Sequence, residues 1–375
     1  MLGNITTGSS SRPRRLFFLI FVLVLLFLPT LAHAQVQVKV NDDVWLRFGT
    51  QLQLWADEAQ DATTKQYAQN LYIRRARFLL TGSAAKDVTF FIQTDDPNLG
   101  KSPKALTSGF LVQDAWAEWK ISDAFMFSGG LFLVPLSRNE LTSTTSFLTL
   151  DISPTSTVFA TPTQTSGTRD TGFQGKGYLA DGRLEYRVAL TQGVRNAASP
   201  GHVASGNAFR HTFYLNYDFF EKERGYVYAG TNRGTRKILA LTGGYDGQKD
   251  YKTYDASLFG TIPVNGKDEV AFIVQGNHYD GGKFIPTLPR QNDYLAEFGY
   301  YLAASKVQPF LKFEDQKFNP DATPSKNQKR YAGGLNYYVS GQNLKFTGQL
   351  THVKPQNGAI HSTNEYTVQM QVWYY

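Results

Sequence analysis

Cysteine is missing from all 375 residues, which excludes a disulfide scaffold and a lipid anchor attached through a leader cysteine. Charge is scarce as well. Only 18% of the chain is Asp, Glu, Lys or Arg, and 38 basic residues are nearly matched by 31 acidic ones, too even a mixture for a nucleic-acid partner. Beyond residue 34 long apolar runs are lacking, because polar residues interrupt them at about every second position. No such stretch approaches the roughly 17–25 apolar residues of a spanning helix. Zinc-ligand spacings, a Walker loop and a dinucleotide fingerprint are absent too, so no cofactor or metal is expected. Internal repeats, heptads and low-complexity segments are also missing. What abounds is the chemistry of strands and turns: 14% aromatic residues, 21 Tyr, 27 Phe and 33 Gly.

Residues 1–34 read as an export signal. Arg12, Arg14 and Arg15 form a positive start, "LFFLIFVLVLLFL" (16–28) an apolar core, and "AHA" (32–34) a small-residue cleavage site. Without that segment 35 basic residues (38 − 3) face 31 acidic ones, and the formal charge falls from +7 to +4. Residues 35–375 are expected to form one domain.

Period-two alternation recurs through that domain. In "VWLRFGTQLQLWAD", Leu46, Phe48, Leu52 and Leu54 share one face and Arg47, Gly49, Gln51 and Gln53 the other. Near the C-terminus, Tyr366, Val368, Met370, Val372 and Tyr374 oppose Thr367, Gln369 and Gln371. Sixteen strands are predicted, at 45–56, 72–84, 88–95, 110–121, 125–134, 172–179, 183–194, 209–220, 237–246, 251–262, 269–279, 294–303, 307–318, 330–340, 344–353 and 364–375. Brief turns ("AAKD", "SD", "ADG", "VNGK", "ASK", "SGQN") mostly alternate with longer connections, as in antiparallel strands whose two ends differ. One segment violates the rule: "EKERGYVYAGTNRGTR" (221–236) falls where a short turn belongs. If "GYVYAGT" is a small strand, the count shifts by two.

A sandwich buries aliphatic faces against each other and exposes charged ones. Here the apolar face carries Tyr, Phe and Trp towards strand ends, and the polar face mixes Gln, Thr, Asn, Gly and both charge signs. Those surfaces suit lipid outside and water inside, and a closed antiparallel β-barrel pairs every backbone amide in hydrocarbon. The fold class is therefore all-β, a transmembrane barrel of about 16 strands.

In "LYIRRARFLL" (71–80), Tyr72, Ala76, Phe78 and Leu80 take the outward parity while Arg75 and Arg77 point into the bore. Arg74 reads outward, and would snorkel to the interface or turn inward through a bulge. Two accounts compete: these arginines pair with Asp95 or Asp114 and merely solvate the lumen, or their guanidiniums recognise anions. The same parity places Arg47, Lys120, Lys176, Arg183, Arg187, Arg210, Lys312 and Lys345 inward, against Asp95, Asp114, Glu118, Glu185, Asp218, Asp255, Glu297 and Glu314. The connection 135–171 is rich in Thr and Ser yet holds Phe147, Leu148, Leu150, Val158 and Phe159. It is expected to fold into the lumen and narrow it.

The stretches "YIRRARFLLTGSAAKDVTFFIQTD", "VQDAWAEWKIS", "GGLFLVPLSRNELTS", "NYDFFEKERGYVYAGTNRGTRKILALTGGYDGQ" and "VQMQVWYY" resemble the phosphate-selective porin O and P family of outer-membrane channels. The resemblance implies a sixteen-stranded homotrimeric barrel with its third external loop inside, and makes 221–236 an irregular connection rather than a hairpin. It also implies passive uptake of small anions, including phosphate or polyphosphate, across the lipid of a Gram-negative outer membrane. Arg74 and Arg75 would belong to the anion path, and Asp114 in "DAWAEW" would hold a comparable acidic-aromatic position. Family members often carry lysine just before "VP"; here Leu133 stands there, which separates phosphate selectivity from the channel assignment. The alternatives are a general porin and an outer-membrane enzyme, the latter disfavoured because His202, His211, His278, His352 and His361 fall mostly in loops or at strand ends with no nucleophile at a recognisable spacing. A soluble secreted adhesin is a further reading.

Overall fold

The computed structural model describes residues 37–195, 206–320, 326–356 and 361–375; the expected signal lies outside them. Among the described residues seventeen strands form one antiparallel sheet. They are β1 (Gln37–Lys39), β2 (Trp45–Gln60), β3 (Tyr67–Ala85), β4 (Val88–Asp95), β5 (Leu111–Ser122), β6 (Phe125–Leu133), β7 (Arg169–Leu179), β8 (Leu184–Thr191), β9 (Arg210–Asp218), β10 (Ile238–Gln248), β11 (Tyr251–Val264), β12 (Asp268–Asp280), β13 (Gln291–Tyr301), β14 (Val307–Phe318), β15 (Gln328–Ser340), β16 (Leu344–Pro355) and β17 (Thr363–Tyr374). Sixteen of them, β2 to β17, close a barrel. Each pairs with its chain neighbour, and β17 returns to β2 with Tyr374 opposite Thr50 and Glu365 opposite Ala59. Closure leaves no open edge, which a wall in hydrocarbon requires.

All sixteen expected strands are present, with boundaries moved by a few residues. The additional strand is the short β1, whose Gln37 and Lys39 pair with Arg47 and Trp45. It occupies the β2 edge just beyond the point where β17 stops. The segment 219–237, between β9 and β10, is an irregular connection and not a hairpin.

Alternation explains the two surfaces. Phe78, Phe173 and Leu311 are 62%, 60% and 65% exposed on the outside, where lipid solvates them. Gln53, Asn336, Thr347 and Gln371 are fully buried on the inside. One local exception corrects the parity reading: in the β2–β3 ladder Gln53 faces Arg75 while Leu54 faces Ile73, so Arg74 is an extra, bulged residue. A bulge shifts the phase by one. Tyr72, expected to face outward, therefore lies inside, 3% exposed, packed on Trp55 with ring centroids 6.0 Å apart.

Candidate functional site

The connection 134–168 enters the bore and lies along the wall formed by β10 to β16. Its apolar residues do what their presence suggested: Leu136 and Phe159 are buried in one cluster with Tyr251, Tyr279, Ile285 and Leu288. The wall's inward polar residues hold the rest. The Asn139 amide donates to Gln275 at 3.2 Å, the Thr149 hydroxyl to Glu297 at 2.8 Å and the Leu150 amide to Gln349 at 3.2 Å, while Asn336 donates to the Leu148 carbonyl at 2.7 Å. Gly244 is the seat of the loop's root, since a Cβ there would lie 1.8 Å from the Leu136 carbonyl oxygen. Gly244→Val is expected to unseat the root at a cost of about 1–3 kcal/mol of overpacking. Limited proteolysis of the folded barrel should then nick the loop, which stays intact in the parent; equal resistance would place the root's anchorage elsewhere.

The irregular connection 219–237 also turns inward, and it braces that loop. Thr142 and Tyr228 form a parallel bridge, with the Ser143 amide donating to the Tyr228 carbonyl at 2.8 Å and the Tyr228 amide to the Leu141 carbonyl at 2.9 Å. Buried Arg138 pairs with Glu223 at 2.6 Å and sits over the rings of Tyr228 and Phe259, 4.3 and 3.9 Å from their centroids. Arg187 is consumed by the same brace: it pairs with Glu185 at 2.7 Å and donates to the Tyr226 and Gly225 carbonyls.

Between the loop and the β2–β5 wall remains a cavity of about 800 Å³. Arg74, Arg75, Arg77 and Arg169 line it, with Asp95, Asp114 and Glu140. The bulge turns Arg74 to the same acceptor as Arg75: both reach loop residue Asp151, at 2.9 and 2.5 Å. Arg77 pairs with Asp95 at 3.0 Å and donates to the Thr144 hydroxyl at 3.0 Å. Arg169 meets Asp114 at 3.2 Å, and the Tyr226 hydroxyl donates to that carboxylate at 2.6 Å. Burial works to raise the Asp151 carboxyl, yet Arg74 and Arg75 overcome it and hold the group below the usual carboxylate range. Glu140 is the opposite case. Burial pushes it well above its ordinary value, with Arg210 and Thr168 opposing only in part.

Of the nine residues singled out from the sequence, the structure thus brings Arg74, Arg75, Arg77 and Asp114 together. The others sit apart from this cavity. Arg47 lies near the short-turn end, donating to Gln37 and stacking over Trp45 and Tyr375. Lys120 pairs with Asp123 in the β5–β6 turn, and Lys176 with Glu118 at 2.9 Å. Arg183 falls in the turn before β8, where its guanidinium satisfies the Asp218, Phe219 and Phe220 carbonyls, so its expected place in the bore is corrected: strand parity lapses where the strand ends. Asp151 and Arg169 were missed, because one lies in a loop without periodicity and the other is the first residue of β7, on the outward parity. His211, His278 and His352 are on β9, β12 and β16, too dispersed to form one catalytic set.

Residues 48–209 match the family model described as phosphate-selective porin O and P. Over that stretch, a little under half of the chain, the sequence is similar to this porin family. Solved structures extend the likeness to the whole barrel. The chain aligns with the anion-selective porin from Comamonas acidovorans at 12% identity, covering 88% of this chain and 99% of that one with a TM-score of 0.58. It aligns with OprB of Pseudomonas putida at 8% identity, over 88% and 94% of the two chains, with a TM-score of 0.65. OmpT of Vibrio cholerae, described in its trimer form, gives 10% identity, 89% and 100% coverage and a TM-score of 0.50. At such identities the likeness speaks for the fold. No curated protein sequence matches the chain. Family and fold together indicate a bacterial outer-membrane channel rather than an enzyme.

Proposed function

We propose that this porin carries small anions by passive diffusion through the passage between the inward loop and the β2–β5 wall. Residues 1–34 would be cleaved on export, and the barrel would work as a homotrimer in the outer membrane. The observation that supports the reading is the charge lining the passage. Four guanidiniums, from Arg74, Arg75, Arg77 and Arg169, meet carboxylates of Asp95, Asp114 and Asp151, while burial shifts Glu140 towards its neutral form. A guanidinium already bonded to one carboxylate retains donors for a passing anion, and its planar fork matches carboxylate and phosphate. Arg47, Lys120, Lys176 and Arg183 would bias entry from the mouths. Leu133 also lines the passage, in the place where the family often has lysine, so phosphate and polyphosphate are admitted as anions and are not singled out. Liposome swelling tests this directly: sodium salts of small monoanions should enter faster than amine hydrochlorides of equal size, and the reverse order would reject the anion path.

Glu140 adds a pH dependence. Burial displaces its titration well above the ordinary carboxylate range, so its neutral form persists to higher pH than in a free carboxylate, and its ionisation as the pH rises subtracts from the positive balance. Glu140→Gln is accordingly expected to match the parent's anion preference at low pH and to keep it as the pH rises, where the parent's declines. A parent whose preference changes with pH no more than the variant's would show that Glu140 does not titrate into the passage.

A further inference from the structure

Away from the arginines the passage changes chemistry. Phe91 on β4 and Trp116 on β5 are cross-strand partners with ring centroids 5.7 Å apart, and Tyr226 from the bracing connection joins them at 5.9 and 4.9 Å. All three face the cavity, with Leu79 and Leu133 beside them. The Tyr226 hydroxyl is already engaged, accepting from the Leu133 amide at 2.7 Å while donating to Asp114. Its ring, not its hydroxyl, is what it offers a solute.

Register sets the distance between the cations and the rings. Along β3, Arg77 faces Asp95, Leu79 faces Gln93 and Thr81 faces Phe91, so four residues, about 14 Å at roughly 3.4 Å each, separate the Arg77 row from the ring row. Arg169 bridges the gap: its partner Asp114 is paired with Gln93, one row, or about 7 Å, from Phe91. A bare hydrated ion gains nothing from this stretch, since aromatic and aliphatic walls return none of the hydrogen bonds it sheds. A flat organic anion loses nothing there. It can leave its carboxylate on Arg77 or Arg169 and lay its ring on the aromatic cluster.

We infer that the solutes this porin prefers are aryl carboxylates, with the carboxylate passed along the guanidiniums while the ring moves over Phe91, Trp116 and Tyr226. The inference rests on the anion-channel reading and narrows it to a substrate class. It is tested by titrating benzoate, acetate and inorganic phosphate against the chloride current of the protein in a planar bilayer. Benzoate should reach half-block at a concentration roughly five- to tenfold below acetate, the worth of one aromatic contact, and below phosphate. Trp116→Leu and, separately, Phe91→Leu keep the site apolar and should bring the benzoate-to-acetate ratio towards one. Equal block by benzoate and acetate in an anion-preferring pore, tighter block by phosphate, or a ratio unmoved in both variants would each overturn the aryl assignment. A pore that prefers cations would instead bring down the anion-channel reading beneath it.

Discussion

Replacing Arg75 and Arg77 by alanine together is expected to turn the pore from anion-preferring to cation-preferring. Both side chains are 4–5% exposed and committed to Asp151 and Asp95, so their loss leaves two carboxylates facing the passage with less to balance them. The lining loses two positive charges. A unit charge at contact distance is worth about 1 kcal/mol even in water-like surroundings, so two of them shift the anion-to-cation permeability ratio by on the order of tenfold or more. Asp151→Asn makes the converse change: it frees Arg74 and Arg75 and should raise anion preference. The bulge at Arg74 makes this pair of experiments informative, because it gives both arginines the same acceptor. If the double alanine variant folds and keeps the parent's ion preference, the arginines only solvate the bore.

Removing the inward loop, by joining residues 136 and 168 through a short Gly/Ser linker, is expected to raise single-channel conductance on the order of twofold or more, since an unobstructed barrel of sixteen strands leaves an aqueous channel. Ion preference should weaken at the same time. With the loop in place, permeant ions pass close to Arg75 and Arg77; in an open bore much of the current would flow further from the wall than the Debye length of about 8 Å at physiological salt. The variant loses Arg138 together with Glu140 and Asp151, one cation against two acids, so its formal charge does not fall and the weakening would report geometry rather than charge. Unchanged conductance would mean that the loop does not govern the narrowest section.

How much of this was legible beforehand follows from where periodicity operates. The strands were readable because lipid on one side and water on the other impose a period of two on every one of them, and that constraint holds for Leu46 as for Tyr374. The inward loop was readable because Phe147 and Phe159 had no reason to stand in solvent, and indeed they are 3% and 0% exposed. Tyr72 was misplaced because a single bulged residue reverses parity without leaving a compositional mark. Arg187 carried the correct parity, yet the structure places the 219–237 brace over it, and only tertiary structure discloses that. Asp151, the acceptor that organises Arg74 and Arg75, sits some seventy-five residues from them in a segment without any period.

The most direct measurement is the reversal potential of the purified protein in a planar bilayer under a tenfold gradient of potassium chloride at neutral pH. With four guanidiniums set against three carboxylates along the passage, current should reverse near the chloride equilibrium potential. Reversal near the potassium potential, or no channel current at all, would contradict a barrel whose wet interior favours anions.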